Sequence, residues 1–192
     1  ATTDFPLQNL PCGVFSVAGE EPRCGVAIGA MILDVAGLEA AGVISAGEDP
    51  VFDVPFWNEL DYIGVQAYFP LTSSKEPGLQ ELERGWNEPM ARMEKVFKKF
   101  RKPILFTELG YKSTPDAAIE PWRWPERQEE VSMETQANCY RAFFHKVWPQ
   151  EWIVGVYFWK WYPHPPKQST DGDFTPQGKP AEEVLKNWFA KR

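Results

Sequence analysis

The stretch "KPILFTELGY", Lys102 to Tyr111, decides how this chain of 192 residues is interpreted. Between Pro103 and Gly110 it runs through β-prone residues and ends in a glutamate, Glu108. Such an apolar run predicts a strand of a parallel sheet that is buried on both faces. Glu108 then lies at the carboxyl end of the strand, which is where α/β sheets and barrels carry their chemistry. Position alone leaves two interpretations open, a catalytic carboxylate or a solvated strand end.

The sequence around this stretch predicts strands and helices in alternation. Strands are predicted at 61–71, 103–111 and 152–161, and amphipathic helices at 79–100, 129–148 and 179–192, the first with a break near Pro89. This order is typical of parallel βα units, so we predict an α/β fold for residues 55–192.

Residues 1–54 have a different pattern. Short β-like runs at 14–17, 25–28 and 31–35 are separated by glycine and proline. They predict a small antiparallel β segment, with "AIGAMILD" (27–34) as a hairpin. We therefore divide the chain into two domains, 1–54 and 55–192.

Composition excludes several classes of partner. A net charge of −7 and a pI near 5.0 argue against nucleic acid. We expect no membrane span, since no run of about 18 apolar residues occurs. The first residues contain neither a basic leader nor an apolar signal core, so we expect a cytoplasmic protein or one whose signal has been removed.

Metal and cofactor sites are not expected. Cys12, Cys24 and Cys139 are widely spaced and accompanied by only two histidines, which favours reduced thiols over a disulfide framework or a zinc site. The "DGD" at 171–173 lacks the glutamate and the spacing of a calcium loop.

Aromatic residues are abundant, with nine Trp, six Tyr and thirteen Phe, many of them late in the chain. Rings that fill the core and rings that stack on sugar faces at a site rim are both compatible with this pattern.

Both parts of the chain resemble known families. "DFPLQNLPCGVFS" and "RCGVAIGAMILDV" resemble the N-terminal, SH3-like domain of fumarylacetoacetase over about residues 4–54. "FWNELDYIGVQAYFPL", "KPILFTELGY", "VGVYFWKW" and "DFTPQGKPAEEVLKNW" resemble, in this order, the C-terminal part of clan A glycoside hydrolases, closest to the β-mannanase-like family 113. The second resemblance implies about three βα units of a (β/α)8 barrel, so the chain is interpreted as a fusion with a partial barrel.

The resemblance also implies site residues. Glu108 matches the nucleophile of a retaining glycosidase, and Tyr68 a tyrosine that hydrogen-bonds it, with a core or rim tyrosine as the alternative. Trp159 matches the tryptophan under the bound sugar, with core packing as the alternative, and Trp161 is a further substrate-binding candidate. Core packing is favoured over a further sugar subsite for three other tryptophans, Trp86, Trp122 and Trp124. The expected substrate is a β-1,4-linked oligo- or polysaccharide, mannan-like or glucan-like.

The second carboxyl group of such an enzyme is harder to assign. Glu88, in the Asn-Glu-Pro phrase at 87–89, resembles an acid/base site but stands only one helix and one strand before Glu108. We interpret it as a helix interruption with a solvated glutamate. The other candidates, which sequence cannot rank, are Glu59, Asp61, Asp116, Glu120, Asp171 and Asp173.

Two rival interpretations stay open at this stage: a sugar-binding remnant without catalysis, and a structural oligomer without a ligand. Closing a barrel takes about eight strands, so three leave open edges and an apolar face. We therefore expect the chain to form a homo-oligomer.

Overall fold

The computed structural model describes residues 12–17, 19, 23–28, 31–43, 57–125, 130–164 and 171–190. The chain divides into two compact units, residues 1–54 and residues 55–192. Helices and strands both occur, which confirms the mixed α/β class.

The N-terminal unit is an antiparallel meander, as predicted. Strands β1 (Cys12–Phe15), β2 (Arg23–Ile28) and β3 (Met31–Asp34) lie in the order β1-β2-β3. Ile28 pairs with Met31 across the predicted hairpin. The hairpin turn at 29–30 and the segment 4–11 lie outside the described residues.

A short helix, α1 (Val35–Ala40), follows β3 and was not predicted. The strand predicted at 31–35 is present but ends one residue earlier, because Asp34 starts a helix. Its Oδ1 accepts a hydrogen bond of 2.8 Å from the backbone N–H of Gly37. This is the usual way in which an aspartate satisfies a free donor of the first helical turn.

The C-terminal unit contains a parallel sheet with the order β4-β5-β6. Its elements are a 3₁₀ turn (Trp57–Glu59), β4 (Ile63–Gln66), α2 (Leu79–Gly85), α3 (Asn87–Phe100), β5 (Ile104–Leu109), α4 (Met133–Lys146), β6 (Ile153–Phe158) and α5 (Pro180–Phe189). The predicted alternation is confirmed, and the arrangement is consistent with part of a (β/α) barrel.

The first long helical segment breaks at Trp86, before the proline that was expected to interrupt it. Pro89 is instead the third residue of α3, where its missing N–H costs no intrahelical hydrogen bond. The Trp86 indole is fully buried and stacks on Phe106, with ring centroids 6.3 Å apart. A sugar subsite at Trp86 is therefore excluded, because the core uses this ring.

The two faces of the parallel sheet differ. We call the face with the buried residues Ile63, Val65, Ile104 and Phe106 the covered face, and the face with Gly64, Gln66, Leu105, Thr107 and Tyr157 the open face. Thr107 is exposed and Leu105 is only partly buried. The expectation that β5 is buried on both faces is therefore wrong.

Among the described residues, no helix is long and apolar enough to cross a membrane. Cys139 is a free, buried cysteine, and burial raises the pKa of its thiol. The side chains of Cys12 and Cys24 lie outside the described residues.

Candidate active site

Glu108 lies near the end of β5, where the pairing of the strands is irregular. Strict alternation would turn its side chain to the covered face, together with Phe106. Register shifts occur between Val65 and Gln66 of β4 and, in the pairing with β6, between Phe106 and Leu109. Such irregularities re-aim side chains. Gln66 of the open face pairs with Glu108, whose side chain is half-buried.

Two neutral side chains hold the Glu108 carboxylate. The Tyr68 hydroxyl donates a hydrogen bond of 2.9 Å to Oε2, and Gln66 Nε2 lies 3.4 Å from Oε1. Burial, and then the hydrogen bond and negative charge of Glu108, raise the pKa of Tyr68 well above its ordinary value of 10.0. Tyr68 therefore keeps its proton and orients the carboxylate as a donor.

Trp159 follows β6 directly and lies against the end of β5. Its backbone N–H donates a hydrogen bond of 2.8 Å to the carbonyl of Leu109. A Cβ atom on Gly110 would lie 2.1 Å from the carbonyl oxygen of Trp159. Only glycine allows this close approach, so the residues after Glu108 set the position of Trp159.

Further aromatic rings surround Trp159 at this edge of the sheet. The Trp124 ring lies 6.2 Å from the Trp159 ring, with an angle of 87° between their planes. The Nζ atom of Lys160 lies 5.0 Å from the ring centroids of both Trp124 and Tyr162. Trp161, which was predicted to bind substrate, is exposed a few residues beyond the end of β6.

Glu59 and Asp61 do not approach Glu108. Both precede β4, and the strands are parallel, so the two carboxylates lie at the amino-terminal edge of the sheet while Glu108 lies at the opposite edge.

Asp116 belongs to the loop between β5 and α4 and is engaged by other groups. Burial alone would raise its pKa, but hydrogen bonds from Thr114, Arg123 and Lys112 hold the pKa well below its usual range. Glu120 lies 3.7 Å from Nε of Arg123. Both carboxylates are thus paired within their own loop.

Asp171 and Asp173 belong to the loop between β6 and α5 and are bonded to lysines. Lys160 Nζ lies 3.0 Å from Asp173 Oδ2, and Lys179 Nζ lies 3.0 Å from Asp171 Oδ1. The Lys179 side chain is fully buried and also donates to Ser113 Oγ, at 2.9 Å. Lys179 thereby joins the β5–α4 loop to the β6–α5 loop.

Glu88 lies in the first turn of α3 with 83% of its side chain exposed. Its nearest charged partner is Arg92, one helical turn further, at 3.9 Å. Trp86, two residues earlier, is buried in the core, whereas Glu88 faces solvent. This position agrees with the interpretation of Glu88 as a solvated glutamate, although the Asn-Glu-Pro phrase forms the first turn of α3 and does not interrupt a helix.

The histidines lie outside this arrangement. His145 pairs with Glu83, at 2.7 Å, and its ring packs against Trp188. His164 is exposed in the loop after β6. The described residues contain no group of three or more His, Cys, Asp or Glu side chains that could hold a metal ion.

Sequence reasoning missed Gln66, Gly110 and the interactions of Lys160. Gln66 stands two residues before Tyr68 in "GVQAY", so the same strand end presents both donors to Glu108. Their shared phrase was the available signal. Lys160 contacts residues that are distant in sequence, Trp124 and Asp173, so no local sequence pattern predicts these contacts.

Comparison with known families agrees with both predicted resemblances. The sequence model of Glycoside Hydrolase Family 113 matches residues 43–190, and that of Fumarylacetoacetase N-terminal matches residues 8–68. The second match extends beyond the predicted residue 54, and the two matches overlap at 43–68.

Solved structures of β-mannanases are similar to this chain. A GH113 β-1,4-mannanase in a complex has 28% identity and a TM-score of 0.62, covering 76% of this chain and 44% of that one. A second GH113 β-1,4-mannanase has 30% identity and a TM-score of 0.61, covering 73% and 42%. The GH113 β-mannanase from Alicyclobacillus acidocaldarius, in complex with ManMIm, has 27% identity and a TM-score of 0.60, covering 74% and 42%. The chain spans less than half the length of these mannanases.

The other similarity is to fumarylacetoacetases. Those of Bos taurus and Homo sapiens are 44% and 41% identical to this chain over 69 residues. These residues are 34% of this chain and 16% of either fumarylacetoacetase.

Proposed function

Since the chain belongs to glycoside hydrolase family 113, we propose that it hydrolyses a β-1,4-linked glycan, mannan-like or glucan-like, with Glu108 as the nucleophile of a retaining mechanism. The observation that carries the proposal is the hydrogen bond from Tyr68 to Oε2 of Glu108 at the carboxyl edge of the sheet. A half-buried carboxylate held by a hydroxyl that keeps its proton is oriented for attack.

The proposed reaction starts with attack of a Glu108 carboxylate oxygen on the anomeric carbon. The glycosidic bond breaks, a glycosyl ester forms on Glu108, and a second carboxyl group protonates the departing oxygen. The same group then takes a proton from water, which hydrolyses the ester and releases the sugar. The two side chains that hydrogen-bond to Glu108, Gln66 and Tyr68, carry no carboxyl group. The second carboxyl group must therefore come from another residue.

A second candidate function is sugar binding without hydrolysis. It is favoured by the exposed indoles of Trp124, Trp159 and Trp161 at the edge that carries Glu108. The ion pairs of Asp116, Asp171 and Asp173 with basic side chains favour it as well, because they engage carboxylates at this edge.

The deciding experiment compares Glu108→Gln with Glu88→Ala by measuring reducing-sugar release from soluble β-mannan and β-glucan. The amide introduced by Glu108→Gln fills the same space as the carboxylate but cannot attack, so we expect a loss of about three orders of magnitude or more with an unchanged thermal midpoint. Glu88→Ala is the matched control on the solvent face and should keep the wild-type rate.

The outcomes separate the candidate functions. Retention of more than about a tenth of the activity in Glu108→Gln contradicts the assignment of the nucleophile. If the wild-type protein binds these glycans but releases no sugar, the second candidate function, sugar binding without hydrolysis, is supported. A large loss in Glu88→Ala that added azide restores would assign the acid/base to Glu88.

A further inference from the structure

Trp124, in the loop between β5 and α4, has a geometry that the proposed hydrolysis does not use. Its ring contacts the rings of Trp159 and Phe174, with centroids 6.2 Å and 5.5 Å away, and the ammonium of Lys160. The indole nevertheless keeps 57% of its surface exposed. Leaving so much apolar surface in water forgoes the free energy of burial, so a fixed but exposed ring is well suited to hold a ligand.

Contacts with Asp173 and Tyr162 fix the position of the Lys160 side chain. Its Nζ atom lies 3.0 Å from Asp173 Oδ2, which also accepts a hydrogen bond of 3.2 Å from the Tyr162 hydroxyl. Burial would lower the pKa of Lys160, but its interactions with Tyr162 and Asp173 outweigh this and raise it. A permanent positive charge therefore lies over Trp124 and restricts the orientation of the indole.

The position of Trp124 relates it to the candidate nucleophile. The backbone N–H of Trp159 donates a hydrogen bond to Leu109, the residue after Glu108. The ring of Trp124 in turn contacts the ring of Trp159. The separation of the two rings is comparable to that of neighbouring units in a β-1,4-linked chain. A sugar unit on Trp159 would thus have its neighbour within reach of Trp124.

We propose that Trp124 is a second sugar-binding platform, which stacks on the glycan unit next to the one held at Trp159. The inference deepens the proposed function and rests on its assignment of glycan as the ligand. Trp124 and Trp159 act as two surfaces, and Lys160 is a positioning residue for the first.

The angle between the two platforms narrows the class of substrate. Their planes are 87° apart, so a flat, extended glycan can stack on only one of them at a time. To use both, the chain must turn at the linkage between the two units. This geometry selects single, flexible β-1,4-linked chains of two or more units over chains packed in a crystalline solid.

The test measures the affinity for mannotetraose by isothermal titration calorimetry, with every protein carrying Glu108→Gln so that the ligand is bound but not hydrolysed. The full chain with Glu108→Gln alone is the wild type for the tryptophan positions in this titration. Trp124→Ala should weaken binding by about two- to tenfold, the range expected for the loss of one aromatic contact. Trp124→Phe should retain most of the affinity, because a stacking ring remains. The matched control is Trp122→Ala, which removes an indole of 52% exposure that has no ring contact among the described residues. It should bind like the wild type.

Several outcomes would overturn the platform. These are wild-type affinity in Trp124→Ala, an equal loss in Trp122→Ala, and a loss in Trp124→Phe as large as that in Trp124→Ala. Near-ultraviolet circular dichroism reports whether Trp124→Ala is folded, and the phenylalanine variant decides if it is not.

The glycan panel distinguishes this inference from the proposed hydrolysis. Wild-type binding of mannotetraose without sugar release, combined with a loss in Trp124→Ala, supports the platform and contradicts hydrolysis. Normal hydrolysis with unchanged binding in Trp124→Ala contradicts the platform alone. Absence of glycan binding by the wild type contradicts both. Binding to microcrystalline cellulose as strong as binding to mannotetraose would contradict the turn between the platforms.

Discussion

The covered and open faces of the parallel sheet are built from the same strands but have different surroundings. On the covered face, Phe106 is fully buried and packs on Trp86 and Phe143, with ring centroids 6.3 Å and 5.8 Å away. On the open face, Thr107 is exposed and Tyr157 keeps 65% of its surface in solvent. We infer that the covered face supplies most of the stability, while the open face and its carboxyl edge are available for binding and chemistry.

The strongest test of this difference compares neighbouring residues of β5. Phe106→Ala should lower the free energy of unfolding by about 3–5 kcal/mol, because it leaves a cavity among aromatic rings that cannot easily collapse. Leu105→Ala, its matched control on the open face, should cost clearly less because Leu105 is only partly buried. Urea denaturation followed by circular dichroism, at a concentration low enough to keep the chain monomeric, measures both. Equal losses would contradict the difference between the two faces.

A smaller effect is expected where the sheet meets the candidate site. Tyr68→Phe removes the hydroxyl that donates to Glu108 but keeps the ring. A hydrogen bond to a charged group contributes about 1.5–3 kcal/mol, so kcat/KM on soluble mannan should fall roughly ten- to hundredfold. The thermal midpoint should change little. A variant with unchanged kinetics would show that Tyr68 is only a rim tyrosine.

The smallest expected effect on the stability of the fold comes from disrupting the association of two chains through the open face. A second copy that covers Tyr157 and its neighbours would bury apolar surface at about 25 cal/mol per Å², and an interface of about 1,600 Å² is of ordinary size. Light scattering after size exclusion should give a mass above the 22.0 kDa of one chain. Tyr157→Lys should lower that mass without unfolding the protein. A wild-type mass of 22.0 kDa at all concentrations would contradict the proposed oligomer.

Much of the fold could be predicted because it depends on local patterns. The apolar run before Glu108 gives a strand, and helical periodicity on either side gives the neighbouring elements. The burial of only one face of β5 could not be predicted, because an apolar run looks the same whether one or both faces are covered. Trp86 was similarly ambiguous, since its burial depends on Phe106, a residue of another element.

The candidate site shows the same limit. Glu108 and Tyr68 were predicted from family resemblance, and the structure brings them within hydrogen-bonding distance. Trp124 was one of three tryptophans, with Trp86 and Trp122, that sequence could not separate. Its orientation depends on Lys160 and on Asp173 beyond it, so the distinction exists only after the loops have come together.

The buried ammonium of Lys179 has a consequence for protein engineering. It bonds to Ser113 of one loop and, at 2.8 Å, to the backbone carbonyl of Asp173 in the next, so the loops that follow β5 and β6 form a single cross-linked piece. Transplanting either loop alone into another scaffold would leave a charged or polar group buried without its partner, at a cost of several kcal/mol. The two loops should therefore be transferred together, along with α5, which begins directly after Lys179.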